Sequence, residues 1–186
     1  MSEELEVLKI VTRRLNEAEI PYMISGSIAG NYYTIPRMTR DIDIVIELKE
    51  NAVDKFAALF EDDFYVNREM IANEVSHQGM FNLIYNRYVI KLDFIIKKSS
   101  AYQNTEFSNR KQVLIDQCPM WMVSAEDLVI SKLLWAKESH SEMQLKDVAN
   151  LMDTVDNLDS EYIDNWIREL DLKQIYKEAD DVRHAS

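Results

Sequence analysis

The chain has 186 residues, 47% hydrophobic and 29% charged, with a formal net charge of −12. That length suits one domain or a domain with a small appended bundle, and that apolar content builds a core, which excludes wholesale disorder. An acidic surface repels polyanions on average, which disfavours nonspecific nucleic-acid binding and favours a cationic small molecule or a basic protein partner.

A local basic patch would have to come from Arg37, Arg40, Lys97, Lys98, Arg110 and Lys111. No apolar run reaches the length of a membrane span, and the start "MSEELEVLKIVTRRLNEAEI" is too acidic for a signal peptide, so a cytoplasmic protein is expected, with no membrane partner. Cys118 is the single cysteine; it permits no internal disulfide, fits a reducing compartment and is expected as a buried, inert thiol. His77, His140 and His184 show no metal-ligand spacing.

In chain order, Leu5, Leu8, Val11 and Leu15 share a stripe that predicts an amphipathic helix over 3–18, and Pro21 ends that region. "YMIS" (22–25) predicts a short strand, and Gly26-Ser27 opens a short helix through about Tyr33. Residues 41–47 predict a second strand, and Asn51 is expected to cap a helix over roughly 52–60. "FYV" (64–66) reads as a strand and "REMIANEV" (68–75) as a short helix. "MFNLIYN" and "RYVIKLDFII" predict two strands with Asn86-Arg87 at their turn, and "KQVLID" and "MWMVS" are further strand candidates.

From Ser124 the pattern turns helical. Ser124-Ala-Glu-Asp127 resembles a capping box and predicts a helix to about Glu138; Ser141-Glu-Met-Gln144 is a fuller box. Its helix sets Leu145, Val148, Ala149 and Met152 on one face, Tyr162, Ile163, Trp166, Ile167 and Leu170 do the same in the next, and a fourth helix ends the chain. The class expected is α+β: a mixed domain over 1–122 and a helical region over 123–186, with the boundary near 120–124.

Chemistry concentrates in three places. In the strand "DIDIVI", Asp41 and Asp43 share one face while Ile42, Ile44 and Ile46 share the other. Two neighbouring carboxylates repel each other without a cation, which a divalent metal would supply; a solvated acidic face is the alternative. Gly26 permits close approach of a ligand, and Ser27 at a helix start offers a hydroxyl and free N–H groups to a phosphate; a turn with an ordinary helix start is the alternative. Asp93 stands in the apolar strand "VIKLDFII" and needs a partner, either a bound cation or Lys91 as a salt bridge. Tyr22, Tyr32, Tyr33 and Trp135 are expected mainly as core aromatics rather than base-stacking platforms.

The ordered set, Gly-Ser, then hydrophobic-Asp-x-Asp-hydrophobic, then a lone strand aspartate, resembles the nucleotidyltransferase superfamily over residues 20–96. The resemblance implies a minimal nucleotidyltransferase fold, a mixed β-sheet with flanking helices, and a C-terminal helical bundle closing one side of a cleft. "RMTRDIDIVI" and "AEDLVISKLLWAKESHSEMQLKDVANLM" further resemble the abortive-infection-type, AbiEii-like nucleotidyltransferases, through Lys132, Ala136 and Lys146-Asp147. The spacing is longer than in that group, Lys146 stands where Arg is usual, and Asn150 replaces the last Asp.

This likeness implies transfer of a nucleoside monophosphate from a nucleoside triphosphate to an acceptor hydroxyl on a small molecule, a protein or tRNA. Two Mg²⁺ ions would be held by Asp41, Asp43 and Asp93. Asp93 would also assist deprotonation of the hydroxyl. Gly26, Ser27 and Arg40 are the nucleotide contacts it implies, with Lys132 and Asp147 carried over from the narrower motif; a snorkelling lysine and a solvated carboxylate are the structural alternatives. Two rival readings remain: a nucleotidyltransferase-like binding protein without catalysis, and the toxin half of a toxin–antitoxin pair with a masking partner protein.

Overall fold

Of the stripe at the start of the chain, Leu8, Val11 and Leu15 are buried in α1 (Glu3–Glu17) together with Val7, while Leu5 is half-buried. Its N-cap is Ser2, whose hydroxyl accepts from the Leu5 N–H. The computed structural model describes residues 2–39 and 41–185.

Seven strands follow: β1 (Tyr22–Ile24), β2 (Ile42–Ile46), β3 (Phe64–Tyr65), β4 (Met80–Tyr85), β5 (Ile90–Ile96), β6 (Lys111–Ile115) and β7 (Cys118–Met122). They form one mixed sheet in the order β3-β4-β5-β2-β1-β7-β6. β2 runs parallel to β5 and β1 parallel to β7, while the other pairs are antiparallel. The alternation in β2 is complete: Ile42, Ile44 and Ile46 are buried and Asp43 and Val45 are half-buried on the other face.

The core beneath that apolar face is aromatic. Phe56 of α3 (Val53–Ala58) packs edge-on against Phe81 and Phe94 at 5.5 and 5.3 Å between ring centroids, and Phe81 stacks on Phe94. Arg14 forks onto Asp63 at 2.6 and 2.8 Å while its guanidinium lies over Phe60 and Phe64, so the rim of this core is closed by a charged pair. Helices α2 (Gly26–Tyr33), α4 (Arg68–His77) and α5 (Ala101–Ser108) connect the strands.

Met1–Ile28 with Met38–Met122 form one compact unit, which contains the sheet; Ala29–Arg37 with Val123–Ser186 form a second, helical one. In the second, α6 (Ala125–Ser139) packs on α7 (Glu142–Thr154), α8 (Ser160–Glu169) and α9 (Lys173–Ala185). Leu128, Val129, Leu133 and Ala136 of α6, Val148 and Leu151 of α7, and Ile163 and Ile167 of α8 are all buried. Ser124 caps α6: its hydroxyl accepts from Asp127 N–H and donates to the Asp127 carboxylate, which is fully buried and also accepts a hydrogen bond from the Tyr162 hydroxyl at 2.6 Å.

Several local expectations are corrected. Asn51 caps nothing; it lies inside a 3-10 turn, Glu50–Ala52, that leads into α3. Ser141 makes no side-chain cap bond: the Gln144 N–H donates to the Ser141 carbonyl at 3.1 Å, and the Gln144 side-chain oxygen accepts from Lys132. The β4–β5 connection takes four residues, Asn86–Val89, closed by Val89 N–H to Tyr85 C=O. Cys118 is half-buried rather than buried, since it sits at the tip of the β6–β7 hairpin, whose two turn residues Asp116 and Gln117 both have positive φ. Tyr32 and Trp135 are exposed, while Tyr22 is buried and Tyr33 half-buried. Among the described residues no helix is long and apolar enough to cross a membrane.

Candidate active site

Strand register brings the aspartates together. Asp43 of β2 lies directly opposite Asp93 of β5 in the parallel ladder, so both carboxylates emerge side by side on the sheet face that the isoleucines do not use. Asn82 of β4 flanks Asp93 from the other side in the same register. Asp41, just ahead of β2, belongs to the same face one pleat along, and Lys91 rises beside it from β5. The Lys91 ammonium lies 2.8 Å from Asp93 Oδ2 and 3.8 Å from Asp41 Oδ1. The hydrogen bond to Asp93 raises the Lys91 pKa against partial burial, and the charges of Asp93, Asp41 and Asp43 add to it. One ammonium therefore feels all three carboxylates. Asp93 is buried, Asp43 half-buried and Asp41 exposed.

The turn from β1 into α2 wraps the Asp43 residue. Ser25 N–H donates to the Asp43 carbonyl at 2.9 Å, and Gly26 follows with φ +60°. A Cβ at Gly26 would stand 1.9 Å from Asp43 Oδ2, so this position is closed to every residue with a side chain. Ser27 is half-buried in the first turn of α2, while Arg40 lies outside the described residues.

The helical unit holds a second charged cluster. Lys132 of α6, only 3% exposed, donates to Asp147 Oδ2 at 2.7 Å and to Gln144 Oε1 at 3.0 Å. Arg37 forks onto the same Asp147 carboxylate at 3.2 and 3.0 Å. Burial pushes the Asp147 carboxyl up, but the hydrogen bonds and charges of Arg37 and Lys132 outweigh it and hold the group below the ordinary carboxylate range. Two cations share one carboxylate here, in a chain whose net charge is −12. Close by, the Tyr33 hydroxyl donates to the Val123 carbonyl at 2.8 Å, and burial lifts its pKa to about 12.

The structure thus gathers Asp41, Asp43, Asp93 and Gly26 in the sheet unit, and Lys132 with Asp147 in the helical unit. Sequence reading placed Lys91 beside Asp93 but missed its reach to Asp41. It also missed Arg37 as the partner of Asp147 and Gln144 as an acceptor for Lys132. None of these pairs is marked by a local pattern; each depends on strand register or helix packing.

No family model matches the sequence, and no curated protein matches it significantly. Solved structures do match in shape. An antigenic nucleotidyltransferase-like protein from Paracoccidioides brasiliensis aligns over 96% of this chain and 92% of its own, with a TM-score of 0.59 at 17% identity. ANT(2'')-Ia in complex with adenylyl-2''-tobramycin aligns over 95% of this chain and 99% of its own, with a TM-score of 0.62 at 15% identity. The lincosamide antibiotic adenylyltransferase LnuA, bound to lincomycin, aligns over 83% and 98%, with a TM-score of 0.53 at 14% identity.

The fold is nucleotidyltransferase-like. On this nucleotidyltransferase-like sheet the donor chemistry suits a hard divalent ion, since three carboxylates offer oxygen ligands from adjacent strands. Among the described residues, however, no three carboxylate, imidazole or thiol groups are arranged to hold an ion as they stand. The Lys91 ammonium is set among them.

Proposed function

We propose that the protein is a metal-dependent nucleotidyltransferase that moves a nucleoside monophosphate from a nucleoside triphosphate to an acceptor hydroxyl, releasing pyrophosphate. The observation that carries this reading is the pairing of Asp43 with Asp93 in register, with the left-handed Gly26 backbone pressed against the Asp43 carboxylate. A buried or half-buried carboxylate pair costs stability unless a cation offsets it, and a glycine at a helix start lets a ligand approach the backbone closely.

In this reading Asp41, Asp43 and Asp93 would hold two Mg²⁺ ions as carboxylate ligands. Those ions would supply positive charge to the attacking and leaving oxygens. Gly26 and Ser27 hold the β- and γ-phosphates through backbone N–H groups and the Ser27 hydroxyl. The acceptor oxygen attacks the α-phosphorus in line, its proton passing to an Asp93 carboxylate oxygen. The bond from the α-phosphorus to the α–β bridging oxygen breaks, and pyrophosphate departs with the electron pair. Arg40 is a further nucleotide contact in this reading. Lys132 and Asp147 are nucleotide contacts in this reading as well, carried over from the narrower motif. The AbiEii-like subgroup rests on the stretch "RMTRDIDIVI" with Lys132, Ala136 and Lys146-Asp147.

Tobramycin and lincomycin are the antibiotics carried by the ANT(2'')-Ia and LnuA structures. An acidic chain complements a cationic acceptor, so an aminoglycoside is the first acceptor to test, before protein and tRNA. Wild type is incubated with Mg²⁺, labelled nucleoside triphosphates and each acceptor, and the adduct and pyrophosphate are measured. Labelling no stronger than that of the Asp41→Asn/Asp43→Asn variant defeats the proposal.

One observation favours a second reading, nucleotide binding without transfer: the Lys91 ammonium already pairs with Asp93 and reaches Asp41. Calorimetry with nucleotide separates the two, because a binding protein of that kind takes nucleotide equally well with and without Mg²⁺.

A further inference from the structure

We propose that Lys91 is a tethered counter-cation that a divalent ion must displace, and that it makes metal binding depend on nucleotide. This rests on the metal-binding reading of Asp41, Asp43 and Asp93. The geometry is specific. Lys91 and Asp93 project from the same face of β5 at alternate positions, and the ammonium touches Asp93 Oδ2 at 2.8 Å while reaching Asp41 at 3.8 Å. Asp93 Oδ2 is thus engaged by Lys91, and Asp93 is buried. An ion that takes Asp93 as a ligand and an ammonium bonded to the same carboxylate repel each other and compete for it.

Lys91 is built to yield. Its side chain is 44% exposed, so a retracted ammonium is rehydrated rather than stranded in the core. Asp93 is not: its side chain is 11% exposed, so it requires one cation or the other. A metal arriving alone must dislodge a positive charge and leave it nearby. A metal arriving on a triphosphate brings anionic oxygens that compensate the displaced ammonium. Metal and nucleotide then strengthen each other's binding, and by linkage the factor is the same in both directions.

The test is metal binding, not turnover. Free Mn²⁺ is followed by electron paramagnetic resonance during titration of wild type, Lys91→Met and Lys91→Arg, each with and without a non-hydrolysable nucleoside triphosphate. Removing one positive charge from beside two carboxylates is expected to tighten Mn²⁺ binding about tenfold or more in Lys91→Met without nucleotide. Lys91→Arg stays near wild type, and the nucleotide-induced gain in Mn²⁺ affinity shrinks in Lys91→Met. Lys91→Gln must move in the same direction as Lys91→Met. Equal Mn²⁺ affinity in wild type and Lys91→Met overturns the inference while leaving the metal site intact. Absence of Mn²⁺ binding in every variant, with nucleotide or without, overturns the metal reading and this inference together.

Discussion

Gly26 and Asp43 approach so closely that a single methyl group would not fit between them: a Cβ on Gly26 would lie 1.9 Å from Asp43 Oδ2 and 2.6 Å from its Cγ. The glycine also holds φ +60°, which L-residues adopt at a cost. The Gly-Ser pair and the Asp-x-Asp strand are therefore one contact rather than two motifs.

Gly26→Ala is expected to destabilise the protein by roughly 1–3 kcal/mol through backbone strain alone, with the displaced Asp43 carboxylate adding to it. Thermal unfolding measures the loss. Transfer activity should fall further than stability explains, since the displaced group is a proposed metal ligand. A fully active Gly26→Ala protein would show that this contact does not set the site.

Asp93→Asn is expected to separate activity from stability. Lys91 is substantially exposed, so the lost pair is screened by solvent and is worth less than about 1 kcal/mol. Removing one of three neighbouring carboxylates also relieves repulsion. The melting temperature should stay within a few degrees, as estimated for small changes in stability. Nucleotide transfer should drop by about a hundredfold or more, because a general base and a ligand vanish together. Loss of fold on this substitution would instead mark Asp93 as structural.

Alternation along β2 and β5 made the aspartate faces legible, because a strand's period is local. The register that sets Asp43 against Asp93 was not legible, since it is fixed by pairing between strands fifty residues apart in the chain. Gln144 looked like the end of a capping box, yet it serves Lys132: a buried ammonium without acceptors costs more than a helix start open to water. The helix at Ala101–Ser108 carries only Tyr102, Glu106 and Phe107 as buried residues, too few for a periodic signal, and its one local mark is Ser100, whose hydroxyl accepts from Gln103 N–H. Arg37 pairs with a carboxylate 110 positions away, which no spacing announces.

The Asp147 cluster predicts an order of effects. Lys132 is buried, so Lys132→Met leaves Asp147 half-neutralised in a poorly solvated place and should cost about 3 kcal/mol. Arg37, whose side chain is 36% exposed, should cost less when changed to alanine. Denaturant unfolding ranks the two, and the reverse order would show that the exposed arginine carries the cluster. Nucleotide titration on the same variants tests the nucleotide-contact role of Lys132, which requires weaker binding in Lys132→Met.

The same carboxylate fixes a pH dependence. The folded Asp147 pKa lies below its ordinary value of 3.8, because Arg37 and Lys132 favour the charged form more than burial opposes it. A carboxyl depressed in the folded state takes up protons first when unfolded, so its stabilisation is complete above about pH 4 and is lost as pH falls through the folded value. In Asp147→Asn that slope disappears, but the overall stability is lower at neutral pH, since Lys132 and Arg37 are left without their shared anion. Unfolding free energy measured from pH 6 down to pH 2 should therefore show the two proteins converging in acid. Curves that stay parallel across that range would mean the carboxylate gains nothing from its two cations.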